Sequence, residues 1–252
     1  MSPVVSADAT TAPAGEKPAT TSKRDIWIVF SIVPAFYTAF GAIFFLLART
    51  MPPPRPDVTT EQKVEFFATH SLTIQIGFGI LILIVGGAGV ANGIVVYHMK
   101  RMSAGSTMAY VYLGGMAVGA LPGCLLVAFC FLAAAFRPDR DPEVLALLYD
   151  LGCLSYVGSL GCFTAAYFGF AIAILYDRNR IFPKWLGYVT IWQIVTEIVA
   201  VPVFVAPAGP FAWNGSMSFW TGTVIFGFWL SCVIFFLKKA NEEQPADQVP
   251  LP

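Results

Sequence analysis

Six stretches of this sequence are each long and apolar enough to cross a lipid bilayer: residues 26–48, 72–97, 109–135, 152–176, 185–206 and 218–237. A hydrocarbon core about 30 Å thick takes roughly 20 helical residues. Within that core only helices and closed barrels satisfy their own backbone groups. None of the six stretches alternates polar and apolar residues as a barrel strand does. The expected fold is therefore all-α, a polytopic bundle of six transmembrane helices over residues 26–237. Composition points the same way, with 57% hydrophobic and only 12% charged residues, where a soluble domain carries about 25% charged. Mean hydropathy is +0.70, and fifteen basic residues balance fifteen acidic ones. Such a chain is not a soluble enzyme, a disordered chain or a nucleic-acid binder. The lipid bilayer is the partner its composition demands.

The first stretch reads as a retained helix rather than a cleaved signal peptide. It follows a tail of twenty-five residues, exceeds the usual apolar region of about 7–15 residues, and lacks a small-residue cleavage site. Lys and Arg set the orientation. Ten of them fall on the side of the two termini and five on the other, so both termini are expected in the cytoplasm, with the chain in the plasma membrane. The tails, residues 1–25 and 238–252, are rich in small and polar residues and proline and are expected to be disordered.

The loops opposite the termini carry helix starts. A proline-rich spacer at Met51-Pro-Pro-Pro-Arg-Pro56 precedes Thr59, which stands three residues before Gln62 in a capping-box pattern. Asp141-Pro142-Glu143 supplies an acidic cap, a first-position proline and a first-turn carboxylate. Helices two and four should thus begin outside the membrane, with Glu61, Lys63 and Glu65 in water. Those helices end alike, at Tyr97-His-Met-Lys-Arg101 and Tyr176-Asp-Arg-Asn-Arg180, and Gly79 and Gly158 share the same offset of 79 residues. The pattern suggests three helical hairpins related by duplication.

Small residues mark where helices touch in lipid. Helix three carries Gly115, Gly119 and Gly123; helix two carries Gly89 and Gly93; helix four carries Gly152, Ser155, Ser159, Cys162, Ala166 and Gly169. The plain expectation is packing within the chain. The alternative is a homo-oligomer, or a membrane-protein partner, held through the glycine-rich helices. Pro122 would leave carbonyls of helix three in need of a neighbour, which argues for a central position. Cys124, Cys162 and Cys232 read as small packing residues, while Cys130 and Cys153 both approach the outer surface, where free thiols are the expectation and a disulfide between helices three and four, which spacing alone does not establish, is the alternative.

Glu197 is the one acid or base well inside a span, where a central acidic residue costs roughly 2.5–3.5 kcal/mol to insert. Desolvation without a counter-ion favours its neutral form. Thr190, Gln193 and Glu197 share one stripe of helix five, with Thr196 beside it. Asn92 and Gln75 on helix two and Ser155 and Ser159 on helix four are placed to face that stripe. Pro202, Pro207 and Pro210 then interrupt helix five, and a polar stripe beside a broken helix resembles transporter midplane sites. The ligand- or proton-binding candidates are Glu197, Gln193, Thr190 and Asn92. The structural alternative is a carboxyl group hydrogen-bonded to a neighbouring helix.

No cofactor is expected. His70 and His98 lie near opposite ends of helix two, about 42 Å apart, too far to share a metal or haem. His98 reads as an interface residue and His70 as a wet or capping one. No phosphate loop or retinal lysine stands in the sequence, and one intramembrane carboxylate alone is a poor catalytic set, so no catalytic residue is expected. Tyr176-Asp-Arg-Asn-Arg-Ile-Phe-Pro-Lys-Trp-Leu-Gly187 resembles a segment of uncharacterised bacterial six-helix membrane proteins, in which a basic loop leads into Pro-x-Trp-Leu-Gly at the start of helix five. The resemblance implies a six-helix fold and a bacterial membrane, and no activity. The leading expectation is a non-enzymatic accessory or scaffold component of a membrane assembly. The competing one is a small proton-linked transporter or receptor for a small apolar solute, working through Glu197.

Overall fold

The structure, a computed structural model, describes residues 23–244; of the tails expected at 1–25 and 238–252, residues 1–22 and 245–252 lie outside the described residues, while 23–25 and 238–242 belong to helices. Six long helices follow one another: α1 (Lys23–Leu47), α2 (Thr60–Lys100), α3 (Thr107–Phe136), α4 (Pro142–Tyr176), α5 (Lys184–Phe204) and α6 (Ser216–Glu242). There is no strand among the described residues. All six helices are apolar and long enough to span a bilayer, and together they fit a multi-pass membrane protein. Their outward faces carry exposed Leu72, Leu83, Leu147, Val224 and Phe235. Lipid accepts such an exterior and water does not.

Consecutive helices pack side by side, α6 returns to α1 and α2, and α2 also meets α4. The result is a closed ring of six. Its interior holds two separate apolar cores. One, near the described chain ends, gathers Phe30, Met99, Tyr112, Phe170 and Trp229. The other, away from them, gathers Phe44, Phe67, Phe78, Phe131 and Tyr149.

The helix starts follow the local sequence. Thr59 and Gln62 form a reciprocal capping box at the start of α2, and Asp141 accepts from the Glu143 amide at the start of α4. At 41 and 35 residues, α2 and α4 reach roughly 60 and 50 Å, beyond a 30 Å apolar core. Their projecting ends are stapled together. Lys63 is not in water but 8% exposed, with its Nζ 2.6 and 2.8 Å from the two carboxylate oxygens of Asp150. Here a tertiary partner overrides the local expectation. The Tyr149 hydroxyl donates to Arg55 O at 2.9 Å, and Trp213 Nε1 to Pro54 O at 2.7 Å, pinning the proline-rich loop. Nearby, the hydrogen-bonded Arg55 guanidinium holds the Asp57 carboxyl below its usual range.

The end carrying the described termini is tied by polar contacts. His98, expected at the interface, is fully buried, with Nε2 2.7 Å from Asn241 Oδ1 and Nδ1 2.8 Å from an Arg101 nitrogen. The last turns of α6 cover it. Asp177, 1% exposed, accepts from the backbone amides of Ser103, Asn179 and Ile181, each at 2.9 Å. Lys184 Nζ caps the end of α4 by donating to Ile174 O at 2.9 Å and Asp177 O at 2.7 Å.

Gly115, Gly119 and Gly123 of α3 are taken up against α4. A methyl group on Gly115 would stand 2.5 Å from Ala166 N, and one on Gly123 would stand 2.7 Å from Ser159 Oγ. Gly79 and Gly158, aligned in sequence, differ in surroundings: open space about the first, the Phe204 ring against the second. All five cysteines are free thiols, and Cys162, expected in packing, is exposed.

Candidate functional site

Helix α5 is regular from Lys184 to Ala200 and tightens into a 3-10 turn over Val201–Phe204, where Pro202 offers no amide hydrogen. Thr190, Gln193, Thr196 and Glu197 are all buried on its inward side. Thr190 is fully satisfied, donating to Leu186 O at 2.8 Å and accepting from Trp229 Nε1 at 2.9 Å. It ties α6 to α5 and takes no part in the site below. Thr196 turns its hydroxyl back to Gln193 O at 2.8 Å.

Gln193 and Glu197, each 1% exposed, are different. Gln193 Nε2 donates to Glu197 Oε1 at 3.3 Å, and the Thr164 hydroxyl of α4 also interacts with the Glu197 carboxyl. Gln193 Oε1 and Glu197 Oε2 are buried acceptors with no partner. Both side chains line a cavity of about 170 Å³ between the helices. Asn92 lines it too, its Oδ1 accepting from the Tyr112 hydroxyl at 3.2 Å. Gln75 and Ser155, expected to face the same stripe, go elsewhere: Gln75 Nε2 bonds Ala135 O at 2.9 Å and Ser155 Oγ bonds Gly152 O at 2.9 Å. Ser159 does reach the cavity.

Every one of the six helices contributes wall, from Phe36 on α1 to Phe226 on α6. The wall is mainly aromatic and aliphatic, with the rings of Phe40, Tyr156, Phe163 and Tyr167 among its surfaces, and no Lys, Arg or His in it. The cavity is bounded by residues of both apolar cores. Its level coincides with irregular backbone. Gly123 and Cys124 come from a π-helical turn over Leu121–Leu126, Ser159 to Phe163 from a 3-10 turn, and Phe219 from a π-helical turn over Ser216–Thr221. Such turns re-aim side chains and recur at functional sites.

The chemistry on offer is recognition. One carboxyl and one amide oxygen await donors, surrounded by apolar surface. Among the described residues no group of three or more His, Cys, Asp or Glu is arranged to hold a metal. The sequence reading found Glu197, Gln193 and Asn92 because polar residues stand out within apolar spans. The tyrosines and phenylalanines of the wall carried no such signal, being a handful among 22 Phe and 9 Tyr. Only the helix-breaking Pro122 and Pro202 marked their depth. Comparison with known protein families, curated proteins and solved structures finds no match for this chain.

Proposed function

We propose that this chain is a membrane-embedded receptor or carrier for a small, mostly apolar molecule held in the central cavity, with Glu197, Gln193 and Asn92 forming the polar end of the site. One observation carries the reading: two buried acceptors, Glu197 Oε2 and Gln193 Oε1, stand without a hydrogen-bond partner in the wall of a mainly apolar cavity. Leaving such a group unsatisfied costs about 1–3 kcal/mol, and a bound donor recovers that cost. The volume of about 170 Å³ compares with the roughly 150 Å³ apolar cavity that takes up benzene, which sets the ligand at about one ring. The ten-to-five distribution of Lys and Arg supports cytoplasmic termini, and the loop resemblance supports a bacterial plasma membrane.

The accessory or scaffold reading rests on another feature. Gly79, Gly86, Gly89 and Gly93 are exposed along α2 with no atom within 4 Å of an added methyl group. That leaves room for the close approach of a partner helix or a second copy. Native mass spectrometry in mild detergent, wild type beside Glu197→Gln, separates the two. A small bound mass present in wild type and lost in the variant supports the receptor or carrier. Partner-protein or dimer masses kept by both forms, with no small bound mass, support the scaffold.

A further inference from the structure

We infer that the ligand of the central cavity is a small primary ammonium compound carrying about one aromatic or aliphatic ring, an inference that rests on the receptor or carrier reading above. The two unpaired acceptors belong to side chains already bonded to each other, Gln193 Nε2 to Glu197 Oε1 at 3.3 Å. Both side chains are almost wholly buried, at 1% exposure each. A hydroxyl has one hydrogen to donate and can serve one of them. An ammonium has three and can serve Glu197 Oε2 and Gln193 Oε1 from a single nitrogen.

Charge and surface agree with that count. Glu197 is the only acidic residue in the wall, and no basic residue is there to compete for it. A buried cation is costly unless it is paired and its hydration replaced. An amine that enters uncharged takes the proton of the Glu197 carboxyl, which leaves a carboxylate as the pair, and rings such as Tyr37, Phe163, Tyr167 and Phe226 in the wall offer cation–π attraction in place of water. A bare metal ion is a poor fit, since calcium or magnesium asks for about six oxygen ligands and this wall is chiefly rings and methyl groups. Apart from Asn92, Ser159, Thr223 and the tyrosine hydroxyls, the rest of the wall is apolar, so the bulk of the ligand is hydrocarbon.

The test uses the purified full-length chain in detergent, titrated calorimetrically with benzylamine, benzyl alcohol and toluene, in wild type and in Glu197→Gln. Benzylamine is expected to bind wild type at least about tenfold more tightly than benzyl alcohol, the range of one hydrogen bond to a charged group. Glu197→Gln should erase that preference while leaving toluene binding in place. Equal affinity for amine and alcohol in wild type overturns the ammonium assignment and leaves the receptor or carrier reading standing, as does a preference that survives Glu197→Gln. Failure of all three compounds to bind wild type overturns the receptor or carrier reading and this inference with it. Should Glu197→Gln fail to fold, the comparison of amine with alcohol in wild type decides alone.

Discussion

Lys63 and Asp150, 87 residues apart in sequence, close a two-pronged ion pair at 2.6 and 2.8 Å between the projecting ends of α2 and α4. The pair is lopsided: the lysine side chain is 10% exposed and the aspartate 39%. The Lys63 ammonium also stands over the Tyr149 ring, 5.4 Å from its centre, so the charge has a cation–π contact besides its ion pair.

That asymmetry predicts which half is costlier to lose. Asp150→Asn strands a buried ammonium and should destabilise the protein by about 2–3 kcal/mol, approaching the range for a broken buried pair. Lys63→Met keeps the packing and leaves a carboxylate that water reaches, for a loss of about 1 kcal/mol or less. Thermal unfolding of both variants in the same detergent checks the order. Equal losses, or the reverse order, would show that burial of Lys63 does not set the energetics.

Gly115 and Gly89 predict opposite responses to the same methyl group. At Gly115 it meets backbone, 2.5 Å from Ala166 N and 2.9 Å from Ala166 Cα. Gly115→Ala should therefore cost about 1–3 kcal/mol by forcing α3 and α4 apart. At Gly89 nothing lies within 4 Å, and Gly89→Ala should be neutral or stabilise by up to about 1 kcal/mol through helix propensity. Melting temperatures of the two variants should move in different directions or at least differ clearly. A matching fall at Gly89 would point instead to a partner seated on that face of α2.

Asp177 predicts a local rather than global effect. Its carboxylate gathers three backbone amides and the Ser103 hydroxyl, the last at 3.2 Å, and so joins the loop after α2 to the loop after α4. Asp177→Ala removes bonds to a charged acceptor worth about 1.5–3 kcal/mol each at most, and leaves the Asn179 and Ile181 amides without it. The loop between α4 and α5 should become sensitive to protease and its amides should exchange faster, while the core around Phe131 keeps its protection. Uniform loss of protection across the bundle would contradict that local role.

The six-helix architecture was legible because long apolar runs in lipid have one backbone solution, and the capping residues Thr59 and Asp141 act on their own neighbours. Glu197 was legible because an acid inside an apolar span has a conspicuous insertion cost. Other features depend on distant partners. Lys63 was read as wet from its place in the first turn of a helix; Asp150, which buries it, lies far along the chain. His98 was read at the interface, yet Asn241, 143 residues away, covers it. Thr190 shared the stripe of Glu197, but Trp229 claims its hydroxyl. Helical periodicity reports which face a residue occupies and not which neighbour reaches it first.

The central cavity also divides the molecule mechanically. Above and below it the rings interlock in dense cores, while at its level α3, α4 and α6 pass through π-helical or 3-10 turns whose hydrogen-bond ladders are less regular. The bundle thus has a waist: two stiff ends joined through a softer middle. The wall of that middle is drawn from all six helices, so a molecule filling it would bear on both ends of the bundle.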